Sequence, residues 1–258
     1  ELRVQQKNHA NVLSNLRKQK GDWLRNVKRK DETGACFIQH CILPRCWLTP
    51  SDALYCAKFL DVILELSTPH FSVVHFLDTF IKTIPSSISS CTKNEASRLG
   101  RLLSKLLKSI CSWKDSEKQY RAKCATKAGF VMDFFSDDAE KVTYHEYCKV
   151  VVKWMKYLYR TFCVALASST VTHKMNTLKI MGRIVDSFPR TTDHGQQLTI
   201  MLKAIYQKEE KKEIPTALGT RSKRMYDMLK GREKTWKDTE YVPPKQTSKK
   251  IRDSAKKR

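Results

Sequence analysis

The sequence predicts an all-α fold of stacked antiparallel helices, helical-repeat-like, followed by a basic disordered C-terminal tail. Three observations predict it. Apolar residues recur at steps of three and four rather than two, the period of a helix face. Gly and Pro number only eight each in 258 residues, too few punctuators for a many-stranded β protein. Hydrophobic residues make up 41%, which at this length supplies a packed core.

Taken in order, residues 1–30 read as a basic helix continuing from a preceding segment. Leu2, Val12, Leu13 and Leu16 give it a thin apolar face, and Trp23 and Leu24 are its expected link to the rest. A short apolar segment, Ala35 to Leu43, is expected to end at Pro44. Thr49-Pro50-Ser51-Asp52 is a helix start: a hydroxyl to accept a free N–H, a proline for the first helical position, an acid for the positive end. The helix beyond buries Ala53, Ala57, Leu60 and Leu64 and stops at Thr68-Pro69. Residues 71–84 are expected to form another, closed near Pro85.

Thr92 with Glu95 three residues later forms a capping box. Ala96, Leu99, Leu103, Leu106, Leu107 and Ile110 then recur on one face, with Arg98, Arg101, Lys105 and Lys108 on another. At 100° per residue these four cations span about 80°. The helix expected from Thr143 to Ala167 repeats the design. Tyr147, Val151, Trp154, Met155, Leu158 and Phe162 form its buried stripe, and Lys149, Lys153, Lys156 and Arg160 its basic one. Further helices are expected at Val171–Phe188, Gln196–Tyr206 and around Arg221–Lys230. Residues 31–235 therefore read as one helical domain and 236–258 as a basic tail, broken from it by Pro243-Pro244.

The net charge is +23, which favours a polyanionic partner and says nothing about fold. It is densest at the ends. Residues 1–30 carry nine basic against two acidic side chains, and residues 208–258 seventeen against eight. Lys249, Lys250, Arg252, Lys256, Lys257 and Arg258 in the tail are candidate nucleic-acid-binding residues, able to follow phosphates without reading bases. The eight stripe cations, Arg98, Arg101, Lys105 and Lys108 with Lys149, Lys153, Lys156 and Arg160, read either as a phosphate-binding surface or as solvated helix faces. What favours the first is the lack of interspersed acids at those positions. Tyr226, Trp236 and Tyr241 are aromatics that could stack on bases, Trp236 being expected to pack on the fold instead.

Nine scattered cysteines read as free thiols of a reducing compartment. Cys36, Cys41 and Cys46 beside His40 are the tightest set, but the ligand spacing is wrong for zinc and buried structural cysteines are expected. No apolar run approaches the roughly 20 residues of a membrane span. The polar, basic start is no signal peptide, and Glu1 in place of Met suggests a piece of a longer chain. No nucleotide-binding glycine loop and no nucleophile–base pattern is present, and Asp137-Asp138 reads as a helix start. Neither an enzyme nor a cofactor is expected.

The run Ile42-Leu43-Pro44-Arg45-Cys46-Trp47-Leu48-Thr49-Pro50-Ser51-Asp52-Ala53-Leu54-Tyr55-Cys56-Ala57-Lys58-Phe59, then Thr68-Pro69-His70-Phe71-Ser72, then Ser90-Cys91-Thr92-Lys93-Asn94-Glu95-Ala96-Ser97-Arg98-Leu99-Gly100-Arg101, resemble in order and spacing the C-terminal region of the THO complex subunit 2 family. The resemblance covers roughly residues 15–220. It implies a nuclear, non-enzymatic scaffold of the THO/TREX assembly that couples transcription to messenger-RNA processing and export. It also implies binding to other THO complex subunits and to a DEAD-box RNA-dependent ATPase. The rival expectation, from charge alone, is an autonomous RNA- or DNA-binding protein.

Overall fold

A computed structural model describes residues 1–27, 30–131 and 140–244. Asp137-Asp138 and the six tail cations from Lys249 to Arg258 lie outside them. Regular structure among the described residues is helical, apart from two isolated β-bridges, Val131 with Lys141 and Thr191 with Lys237. The helices are α1 (Leu2–Gln19), α2 (Lys30–Phe37), α3 (Leu43–Cys46), α4 (Pro50–Glu65), α5 (Val73–Lys82), α6 (Ile84–Ser90), α7 (Lys93–Asp115), α8 (Glu117–Tyr120), α9 (Tyr144–Ala167), α10 (Val171–Ile184), α11 (Thr192–Glu210) and α12 (Ala217–Arg232).

The starts follow the local chemistry. Thr49 Oγ1 accepts the Asp52 N–H at 3.1 Å and Pro50 opens α4. Thr92 with Glu95 and Thr143 with Glu146 each form a reciprocal capping box, so two orphan N–H groups are satisfied at α7 and at α9.

One proline behaves differently from expectation. Pro44 does not end a helix: a π-helical turn, Ile38–Ile42, precedes it and Pro44 opens α3. A widened turn accommodates a residue that lacks an N–H and would crowd the preceding turn of a regular helix. Pro85 follows the end of α5 at Lys82, as expected, and also sits in the first turn of α6, where its missing N–H is no loss.

α7 and α10 form the central pair, with α4 and α9 also packed against α7 and α12 against α10. Gly100 permits the close approach. A Cβ there would lie 3.1 Å from Ile180 Cα and 3.0 Å from Arg183 Cβ. One buried apolar cluster runs from Ile38 to Trp236, and Leu103, Leu106, Ile110 and Trp154 all belong to it. Buried polar groups pin helix to helix. Asn176 Nδ2 donates to the Ile88 and Cys91 carbonyls at 3.0 and 2.7 Å, and Tyr147 donates to the Ile110 carbonyl at 3.1 Å. Such pins fix register because each leaves a buried group unsatisfied if the helices slide. α1 buries none of its residues. The chain after it returns to the body through half-buried Leu24, packed on the core, and Lys20, which donates to the Leu66 carbonyl.

Residues 236–244, expected to begin the tail, are packed and form a strap. Trp236 lies over Gly195, where a Cβ would come within 2.5 Å of the indole. The Lys237 N–H donates to the Arg190 carbonyl at 3.0 Å. Glu240 pairs with Lys114 and with Arg190, all three largely removed from solvent, and His145 bonds the Pro243 carbonyl. Composition alone misses this because the holding groups lie far earlier in the chain, Lys114 by 126 residues and Arg190 by 50 from Glu240.

Candidate nucleic-acid interface

The eight stripe cations separate once placed. Arg98 is half-buried and donates to the Trp47 carbonyl, so its guanidinium ties α7 to the chain after α3. Arg101 is half-buried and turns toward α10. Lys105 and Lys108 are exposed, as are Lys149, Lys153, Lys156 and Arg160. Acids absent from the stripes in sequence arrive from neighbouring helices. Asp61 of α4 faces the field of Lys105, and burial raises its carboxyl more than that field and those of Lys58 and Lys123 lower it. Asp78 of α5 lies 3.9 Å from Lys153, also pairs with Lys82, and accepts the Trp154 indole N–H at 2.9 Å.

A further group of unpaired cations among the described residues lies where α7, α10 and α12 meet. A cleft of about 590 Å³ opens there, walled by Lys179 and Arg183 of α10, Arg221 and Arg224 of α12, and Ser97 of α7. Leu178, Met225 and Met228 supply its apolar side. The α10 and α12 pairs stand four and three residues apart, so each puts two cations on one helix face about a turn apart. Arg183 reaches Ser97 Oγ from Nε and Nη2 at 3.4 and 3.3 Å. None of these four cations, nor Arg101 or Lys93 beside them, enters an ion pair among the described residues. Burial, then the cations Arg221, Lys93 and Arg183, pushes the Lys179 amine down. Burial, then Arg101 and Arg224, lowers Arg183. Like charges are crowded here without acids to hold them.

These four wall residues are not among the sequence candidates. Their signal is present as two short cationic pairs without an acid between, but nothing local says that α10 and α12 face one another. The aromatics divide as well. Trp236 is buried, Tyr226 meets Tyr206 edge-to-face at 5.4 Å, and Tyr241 is exposed.

Of the cysteines near His40, Cys46 is buried but Cys36 and Cys41 are exposed, contrary to expectation, the buried face in this stretch being taken by Ile38 and Ile42. Burial pushes the Cys46 thiol up to about 12, with the nearby Cys56 adding and Arg98 opposing. Such a thiol is protonated and unreactive at neutral pH. No group of three or more His, Cys, Asp or Glu among the described residues is placed to hold a metal ion. No helix among them is long and apolar enough to cross a membrane.

Residues 1–225 match the family model Tho2, described as transcription factor/nuclear export subunit protein 2. The chain belongs to the Tho2 family. THO complex subunit 2 of Mus musculus and of Homo sapiens are each 31% identical to it over 218 residues, 82% of this chain and 14% of theirs. That of Arabidopsis thaliana is 31% identical over 222 residues, 85% of this chain and 12% of its own. The chain thus spans about one-seventh of the length of the animal Tho2 relatives. The match ends at 225, so it includes α10 and the α12 residues Arg221 and Arg224 that wall the cleft.

Proposed function

We propose that this chain is a scaffold segment of a THO complex subunit 2, acting in the nucleus in transcription-coupled messenger-ribonucleoprotein assembly and export. The observation that carries the reading is the Tho2 match over residues 1–225 together with the 31% identity to proteins named THO complex subunit 2. On this reading the helical body docks other THO subunits, a DEAD-box RNA-dependent ATPase supplies the chemistry, and the segment itself is no enzyme. Residues 31–244 serve as the helical body, α1 continues from preceding chain, and the basic surfaces, with the tail cations Lys249 to Arg258, bind RNA. The excess of 49 basic over 26 acidic residues supports that last part.

The test is affinity purification of the full-length parent from nuclear extract at high salt, with partners identified by mass. Recovery of THO subunits in fixed ratio, after nuclease treatment, is expected. A parent that sheds nucleic acid and elutes alone would instead be an autonomous RNA- or DNA-binding protein.

A further inference from the structure

Several cations of this protein are paired with acids. Lys114 and Arg190 share Glu240, Lys212 pairs with Glu209 at 2.8 Å, and Lys230 with Glu233 at 3.1 Å. Between α10 and α12 the pattern fails. Lys179, Arg183, Arg221 and Arg224 converge on one cleft with no acidic partner among the described residues. Lys179 is half-buried while Arg183, Arg221 and Arg224 are exposed around it, so the cleft presents four cations to an anion arriving from outside. The α10 side of the arrangement is also held in place. Gly100 brings α10 against α7, and Ser97 steadies the Arg183 guanidinium. Preorganised cations lose less entropy on taking up a ligand.

We propose that this cleft binds single-stranded RNA, with backbone phosphates on Lys179, Arg183, Arg221 and Arg224 and a nucleobase against Leu178, Met225 and Met228. Three features select this ligand. Two cationic pairs on facing helices suit the successive charges of a polymer better than one compact anion. The apolar wall would be wasted on inorganic polyphosphate, whereas a base can lie against it, and methionine sulfur interacts favourably with aromatic rings. A cleft of about 590 Å³ takes a nucleotide-sized unit, which a single strand can insert and a stacked duplex cannot. Recognition is through phosphate charge and stacking, so little sequence preference follows. This deepens the reading that the segment binds nucleic acid and rests on it.

The test titrates a fluorescent oligouridylate into the whole 258-residue chain over a range of salt concentrations. Arg221→Gln with Arg224→Gln, and separately Lys179→Gln, are compared with Lys105→Gln/Lys108→Gln on the exposed α7 stripe, circular dichroism confirming that each folds. The α12 double variant is expected to bind about tenfold more weakly, with the log–log salt slope flattened by about 0.7 for each phosphate no longer neutralised. The α7 variant should change little. If the cleft variants bind as wild type does while truncation after Pro244 abolishes binding, the cleft is overturned and the broader reading stands. If the wild-type chain binds no RNA, both fall. Displacement of the RNA by tripolyphosphate as readily as by unlabelled RNA would overturn the nucleobase part of the proposal. An aspartate-rich peptide that binds the cleft more tightly than RNA would make it a protein interface and overturn the proposal.

Discussion

Gly100 and Gly182 sit on facing helices and are chemically identical, yet substitution should move stability in opposite directions. At Gly100 a methyl would meet Ile180 Cα at 3.1 Å, a backbone atom that cannot rotate away, so α7 and α10 must part. Gly100→Ala should cost about 1–3 kcal/mol as overpacking does. At Gly182 nothing lies within 4 Å, and Gly182→Ala should stabilise by about 0.4–1 kcal/mol through the unfolded chain. Urea midpoints at constant slope check both. Asp78 gives a pH prediction. Burial raises its carboxyl, but the bonds from Lys82 and Trp154 and the nearby charge of Lys153 outweigh this and hold it below the ordinary 3.8. A depressed folded value means its contribution is full above that ordinary value and is lost as pH falls through the folded one. Asp78→Asn should therefore cost about 1 kcal/mol at neutral pH and make the melting point less sensitive to acid, measured by calorimetry from mildly acidic pH downward. None of this partnership is readable locally: Asp78 and Trp154 are 76 residues apart.

Elements are legible where their signals are local. The capping box at Thr92 marks the start of α7 to the residue, and the three-and-four spacing marks the buried faces of α7 and α9. Leu106→Ala should thus cost about 2–5 kcal/mol, read from denaturant unfolding. Elements are illegible where a neighbour decides. Pro44 reads as a stop because proline stops an isolated helix, yet helical structure runs up to it and it lies in the first turn of α3. The strap 236–244 reads as tail because its own composition is polar, and what holds it is the Lys114–Glu240–Arg190 cluster. Glu240→Ala leaves Lys114 buried without its partner and should cost about 3–5 kcal/mol. Hydrogen exchange should show the strap's amides losing protection, including Lys237, which bonds Arg190 in the intact protein.

For the whole molecule, composition and charge predict a helical body and favour a polyanionic partner, but they do not reveal the cleft between α10 and α12. The α7 and α9 stripes stand out in the sequence because they repeat along single helices. The cleft cations are four residues on two short segments, and they become a site only when α12 packs across α10. Packing also works in reverse on the stripes, bringing Asp61 toward Lys105 and Asp78 toward Lys153. A tertiary arrangement thus both creates the uncompensated surface and removes part of the apparent one. If this Tho2-family body meets RNA at the cleft, it should do so within the assembled parent complex, where ultraviolet cross-linking of RNA can be followed by mass spectrometry of the adducts. Adducts are expected on the peptides carrying Lys179, Arg183 and Arg221 to Met228. Adducts confined to other subunits, or on this chain to α1 and α9 alone, would refute RNA binding at the cleft.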